Sequence, residues 1–365
     1  MWAETQALPG ALYSSIDLAL YALLISVFMV FSFKQCQSND AVEPAAARWM
    51  ANADEAVLAL PLHRVALAGS HNSGSYAPRA RSKCHSGDCD ENLAKYLHLP
   101  PVSYVVKRWA KCQRISIYDQ LLHGVRYLDV RVQIHDDCMH LCHSICFLDV
   151  EALLDQLVSF LDDHPLELVV VDVNHIYTTK HDDHARFLSL FLSRVGRSRV
   201  ASSAAHTPSS SLAAFRAAGV QVVLIYHEAE AAANADVWGP SMIESVWPNE
   251  PTADAVLAHG KDQLLRDDDD APRLRVLQML PTPRNNDLTK HLSVLGFSRT
   301  MVRQTPGWLL QLVAAHDRAL QRCNIVLMDD IVRHKNALVE ALLEVNRIKM
   351  KARTVDITVA DDAKA

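Results

Sequence analysis

The chain has 365 residues, half of them hydrophobic and 21% charged, with only 11 Gly and 15 Pro, which excludes a disordered, collagen-like or low-complexity protein. A net charge of −6 and the lack of any dense Lys/Arg stripe give no pull toward nucleic acid. Eight cysteines are too sparse for a small disulfide scaffold, and the chain is long enough to bury a self-sufficient core.

Residues 1–45 differ from the rest. Leu18 to Phe33 (LALYALLISVFMVFSF) carries no charge and is bracketed by Asp17 and Lys34. As a helix it would span about 24 Å, a little short of a bilayer core of about 30 Å. The preceding residues include Glu4 and Asp17 and no Lys or Arg, a poor start for a signal peptide. The run is expected to be a signal-anchor or a cleaved signal, routing the chain to a membrane or the secretory pathway rather than the cytoplasm. A buried N-terminal helix is the plain alternative. Cysteines grouped in SKCHSGDCDEN (82–92) and DDCMHLCHSIC (136–146) favour disulfides if the chain enters that pathway.

From about residue 60, short apolar runs alternate with amphipathic stretches. Predicted strands are Arg64–Ala68, Tyr127–Val132, Met139–His143, Leu168–Val173, Gln221–Tyr226, Arg275–Leu280 and Asn324–Met328. Predicted helices include Val150–Asp162, His184–Val195, Gly307–Leu320 and Asn336–Val345. Runs such as LVVVDV are apolar on both faces, as in a buried parallel sheet. Seven such strands, with one more to be found, predict an α/β fold of the (βα)8 barrel type over 46–350. Residues 351–365 read as a polar, frayed tail.

In such a barrel, chemistry gathers at the C-terminal ends of the strands. Here those ends carry Ser70-His71-Asn72, Asp129 and Arg131, His143, Asp172 to His175 with Asn174 among them, Tyr226-His227-Glu228, and Asp329-Asp330. The i, i+2 spacing of Asp129 and Arg131 puts both on one face. A lone His at a strand end is more often structural than catalytic; Asp129 and Arg131 could be a buried ion pair, and Asp329-Asp330 a helix cap. Their convergence on one rim suits phosphodiester chemistry. One His accepts a proton, another donates one, Arg neutralises phosphate oxygens, and carboxylates fix the imidazole tautomers.

At these residues the sequence resembles the phosphatidylinositol-specific phospholipase C X-domain family. It is most similar to its small single-domain members and to the bacterial enzymes. The resemblance is carried by LHRVALAGSHNSGSY (62–76), YDQLLHGVRYLDVRV (118–132), LCHSICFLDVEALLDQLVSFLDDHPLELVVVDVNH (141–175) and NIVLMDDIVRHKNALVEALLEVN (324–346), in order, over about residues 58–346. It implies a distorted (βα)8 TIM barrel that cleaves phosphatidylinositol to diacylglycerol and an inositol cyclic phosphate. By position, His71 would be the general base, Asp329 its partner, Arg131 the phosphate ligand, His143 the general acid and Asp129 the group that orients it. Asn72, Asn174, Tyr226 and His227 would line the substrate. The implied partner is a phosphatidylinositol-type lipid at a membrane surface.

Two departures stand out: Asn72 replaces the Asp that follows the first His in the bacterial pattern, and Ser144 replaces a Gly. They keep open a second reading, a weak or inactive barrel that binds an inositol lipid or a membrane partner. No cofactor and no metal is expected. Arg131 stands where the calcium-using animal enzymes carry a second acidic residue, so activity is expected to be calcium-independent. A zinc site from Cys138, His140, Cys142, His143 and Cys146 competes weakly, because the paired ligand spacings are missing. A metal-dependent barrel phosphodiesterase competes more weakly still, since Arg131 takes the place of an acidic ligand.

Overall fold

The computed structural model describes residues 43–78, 84–229, 234–267, 271–284 and 286–362. Among the described residues nine strands form one sheet: β1 (Leu67–Ser70), β2 (Val125–His135), β3 (Cys138–His143), β4 (Ile145–Asp149), β5 (Val169–Tyr177), β6 (Val222–Tyr226), β7 (Ile243–Val246), β8 (Leu274–Gln278) and β9 (Ile325–Met328). Seven of them run parallel in the order β7-β8-β9-β1-β2-β5-β6, with no ladder joining β6 to β7 among the described residues. The sheet curls into a TIM-barrel-like half-barrel. All seven predicted strands are present; β4 and the four-residue β7 are additional.

One predicted strand has the opposite sense. β3 pairs antiparallel with the far half of β2, Val132 facing Leu141 and His135 facing Cys138. Asp136 and Asp137, at φ 49° and 56°, make the two-residue turn with the left-handed twist that tight hairpins need. β4 then returns on β3 through Ser144, itself left-handed at φ 58°. β2 therefore projects beyond the barrel, and β3 brings the chain back to the rim.

Side-chain parity divides the core. Leu67, Tyr127, Val170, Val223, Ile225, Val276, Ile325 and Leu327 fill the inside of the curl. Ala68, Leu128, Val171, Leu224, Val326 and Met328 face the surrounding helices, among them α1 (Val150–Asp163) and α2 (Asp182–Val195). The alternation follows from the strand period of two. Gly69 keeps the inside open under the rim: a Cβ there would meet the Tyr127 ring at 2.9 Å and Ile325 at 3.2 Å.

The last helix, α3 (Arg333–Asp362), is interrupted by left-handed His334, Lys335 and Asn336 and otherwise runs on into the stretch expected to be a frayed tail. The expectation of membrane routing is corrected: no helix among the described residues is long and apolar enough to cross a membrane. The run Leu18–Phe33 that motivated it lies outside the described residues.

Lys349 of α3 is buried at the opposite end of the barrel, its Nζ donating to the carbonyls of Arg64 at 2.6 Å and Cys323 at 2.5 Å. Burial lowers its pKa from 10.5 to about 8. The folded state then binds fewer protons than the unfolded state between those values, so stability rises with pH through that window. Urea midpoints across it should climb, by up to about 3 kcal/mol in free energy. The Lys349→Met variant should show a flatter profile; equal slopes in both proteins would contradict a buried ammonium.

Candidate active site

The inside parity continues past the strand ends into polar residues. His71 follows Leu67 and Gly69, Asp129 and Arg131 follow Tyr127, Asp172 follows Val170, His227 follows Ile225, and Asp329 follows Leu327. The rim thus inherits its polar groups from the same alternation that fills the apolar interior.

His71 Nδ1 lies 2.7 Å from Asp329 Oδ1, and the other Asp329 oxygen accepts from the Ser298 hydroxyl at 2.7 Å. Burial pushes the Asp329 carboxyl up, but the facing His71 and the hydrogen bonds from His71 and Ser298 win, leaving it below the usual carboxylate range. An ionised Asp329 requires a proton on Nδ1 and leaves Nε2 of a neutral His71 as the acceptor. That Nε2 receives the Asn72 side-chain amide at 2.8 Å. Asn72 is left-handed at φ 42°, a conformation Asn adopts readily, and its backbone N–H donates to Asp129 Oδ2 at 2.9 Å.

His143 lies across from His71, ring centroids 5.8 Å apart and edge to face. Its Nδ1 sits 2.9 Å from the carbonyl of Ala110 and 3.3 Å from the sulfur of Cys112. Burial, His71 and Arg131 lower its pKa to about 4. Asp129 was expected to orient this ring, and here the structure differs: Asp129 holds the Asn72 N–H and stands 4.0 Å from His71 Nε2, and the Ala110 carbonyl orients His143. Arg131 is part-buried. Burial opposes its charge, yet Asp129, Tyr177 and Asp88 hold its pKa above the ordinary value.

Among the residues expected to line the substrate, His227 stays at the rim. Its Nε2 contacts Asp172 Oδ1 at 2.7 Å, and Asp172 also takes the Tyr127 hydroxyl at 2.5 Å. Burial works against the His227 charge, but the Asp172 hydrogen bond and charge raise its pKa. Asn174 is the residue that the β2–β5 register skips, since Val130 faces Val173 and Arg131 faces His175. Tyr226 is a correction. It has the outward parity, is fully buried, stacks on Phe187 and bonds His184 Nδ1 through its hydroxyl at 2.7 Å, so it belongs to the helix layer.

The zinc reading also fails. Cys146 is bridged to Cys84, His140 bonds Asp149 at 2.5 Å, and Cys138 is exposed. One group of possible ligands exists among the described residues: His71, Cys112 and Asp329, with atoms within 4.8 Å of one another. Two of the three are already hydrogen-bonded together, and burial holds the Cys112 thiol neutral by raising its pKa well above the usual value. Ser298, Cys112, Asp88 and Tyr177 are site residues that sequence reasoning missed. Only Tyr177 left a signal, two residues beyond His175 on a strand already predicted to reach the rim.

Residues 101–203 match the family described as PI-PLC X. The mouse PI-PLC X domain-containing protein 2 is 25% identical over 311 residues, covering 83% of this chain and 89% of its own. The bovine PI-PLC X domain-containing protein 3 is 23% identical over 293 residues, 78% of this chain and 88% of its own. In fold, the chain is similar to the phosphatidylinositol-specific phospholipase C of Listeria monocytogenes, with TM-score 0.59 and 15% identity over 82% of this chain and 98% of that one. A Staphylococcus aureus phosphatidylinositol-specific phospholipase C gives TM-score 0.58 and 15% identity over 82% and 97%. By matched region, by relatives spanning most of its length and by fold, the chain is thus similar to the phosphatidylinositol-specific phospholipase C X-domain family, as its sequence blocks imply.

Proposed function

We propose that the rim site cleaves the phosphate–glycerol bond of phosphatidylinositol-type lipids. The observation that carries this reading is the pair of imidazoles 5.8 Å apart, one with a buried carboxylate behind it, with Arg131 on the neighbouring strand. His71 Nε2 takes the proton of the inositol 2-hydroxyl, whose oxygen forms the new bond to phosphorus. The bond from phosphorus to the glycerol oxygen breaks, and that oxygen takes a proton from His143 Nε2. The products are diacylglycerol and inositol 1,2-cyclic phosphate, and attack from within the substrate gains from proximity. Arg131 offers paired N–H donors to the phosphate oxygens. His143, neutral at pH 7 in the free protein, gains its proton beside the anionic phosphodiester, because an opposite charge raises a histidine pKa. Exposed Trp247 directly follows β7, and exposed Leu292 and Tyr104 lie in the segments that connect β8 to β9 and β1 to β2, which suits a substrate offered in a lipid aggregate.

A second reading has a specific observation behind it. The Asn72 amide occupies Nε2 of His71, the atom the base must use, and Asn72 lacks the charge of an Asp. A barrel that binds the lipid without turning it over would keep this contact.

Phosphorus NMR of the protein with phosphatidylinositol separates the two readings: a cyclic phosphate signal is expected, and binding without it favours the second. His71→Ala and His143→Ala should each lower kcat by about 10²-fold or more, since each removes a proton-transfer partner. Wild-type turnover in either variant would remove that residue from the mechanism.

Calcium is not expected to be needed. Asn72 Oδ1 and Asp129 Oδ1 are buried without a hydrogen-bond partner among the described residues and could each face a cation. The Arg131 guanidinium, kept protonated by Asp129, supplies that positive charge instead. Turnover in excess EGTA should equal turnover in millimolar calcium; loss in EGTA and recovery with calcium would assign the two oxygens to the ion.

A further inference from the structure

His71 has a carboxylate behind it, and His143 has a carbonyl. In an acid–base pair, the ring that must carry a positive charge would gain most from a nearby anion. Asp329 is committed to His71 and Ser298, and Asp129 to Asn72. A third carboxylate comes from a loop to which the sequence reading gave no role.

The Cys84–Cys146 disulfide ties residue 84 to the strand that begins two residues after His143. Backbone pairing continues the tie. Cys146 N donates to the Cys84 carbonyl and Ser86 N to the Ser144 carbonyl, each at 3.2 Å, with His85 bridging Ile145. The chain next presses on β5: a Cβ on Gly87 would stand 2.8 Å from the Tyr177 ring. Asp88 follows, its carboxylate accepting from the Ser86 hydroxyl and facing Tyr177, which helps to lower its pKa. Tyr177 lies on the inside edge of β5, two residues beyond the His175–Arg131 pairing. The loop therefore spans from the turn after His143 to the strand beside Arg131.

We propose that Asp88, held at the rim by this disulfide-tied loop, is the carboxylate that supplies negative charge to His143 and Arg131. The proposal rests on the phosphodiesterase reading for its catalytic consequence, not for its electrostatics. His143 faces His71, Arg131, Cys112 and Asp88; the first two disfavour its proton and Asp88 favours it. Asp88 faces Tyr177, Ser86, Arg131 and His143, and its charge also reaches Cys89, Cys142 and His175. Burial opposes its ionisation, but the two hydroxyls and the neighbouring positive charges hold its carboxyl below the usual range, so it is an anion at neutral pH.

Histidine Cε1–H NMR titrations of the wild type, Asp88→Asn and Asp88→Glu test this, with His143→Ala locating the resonance. The His143 curve should move to lower pH in Asp88→Asn and return toward wild type in Asp88→Glu. The curve of His227, held by Asp172, should stay in place. An unmoved His143 curve, or equal movement of both curves, would overturn the proposal. In turnover, kcat of Asp88→Asn at neutral pH should fall about tenfold for each unit the His143 curve moves. A wild type that turns over no phosphatidylinositol would count against the phosphodiesterase reading alone, because the titration reads Asp88 without turnover.

Discussion

The site depends on one rung of a β-ladder. β1 and β9 pair in register from Leu67 with Ile325 to Ser70 with Met328, a constant offset of 258 residues. His71 and Asp329 are separated by the same offset, so their hydrogen bond is the next rung, made by side chains instead of backbone. The backbone ladder itself reaches the site, since His71 N donates to the Met328 carbonyl at 3.1 Å. A slip of one residue would send one partner out into the helix layer. Register here is held by burial: Leu67, Ile325 and Leu327 can only face inward, and Gly69 leaves the room that Tyr127 and Ile325 take. Packing below the rim thus decides geometry at the rim.

The same parity explains how several carboxylates come to be buried at the barrel mouth. Asp129, Asp172 and Asp329 are all almost fully buried, and an ionised carboxylate in such a place is costly unless it is hydrogen-bonded. Each has donors at hand. Asp329 takes His71 and Ser298, Asp172 takes Tyr127 and His227, and Asp129 takes the Asn72 backbone beside the charge of Arg131. These networks hold rings as well as charges. The Asp172 chain fixes His227 at the rim as Asp329 fixes His71, so two histidines share one design with different neighbours.

Much of this was legible in the sequence wherever period two was unbroken. YLDVRV shows Asp129 and Arg131 on one face, and LAGSH places His71 in line with Leu67. The resemblance blocks supplied the pairing of His71 with Asp329, which no local pattern could. Legibility failed where the chain leaves the barrel's regular path. The β2–β3 turn is Asp-Asp, without the Gly that marks most tight hairpins, so β3 read as one more parallel strand. β7 is four residues long and β4 follows β3 after a single residue, both too short for periodicity to separate. Tyr226 was misplaced by one position: it is next to His227, but adjacent strand residues face opposite ways, and it points into the helices. The Cys84–Cys146 pairing was one of many that the cysteine spacing allows, so the approach of Asp88 stayed hidden with it.

The two imidazoles show what environment adds to residue type. His71 and His143 are chemically the same and their rings nearly touch, so protonation of one disfavours protonation of the other. On the proposed reading, acid and base roles would follow from what stands behind each ring. Behind His71 is an ionised carboxylate that fixes the proton on Nδ1 and leaves Nε2 to accept. Behind His143 is the carbonyl of Ala110, which also fixes a proton on Nδ1 but adds no full charge. The second ring is therefore the one whose protonation responds to whatever charge enters the mouth of the barrel. On the proposed reading, a phosphodiester bound beside Arg131 would supply such a charge, so arrival of substrate would itself load the proton that the leaving group needs.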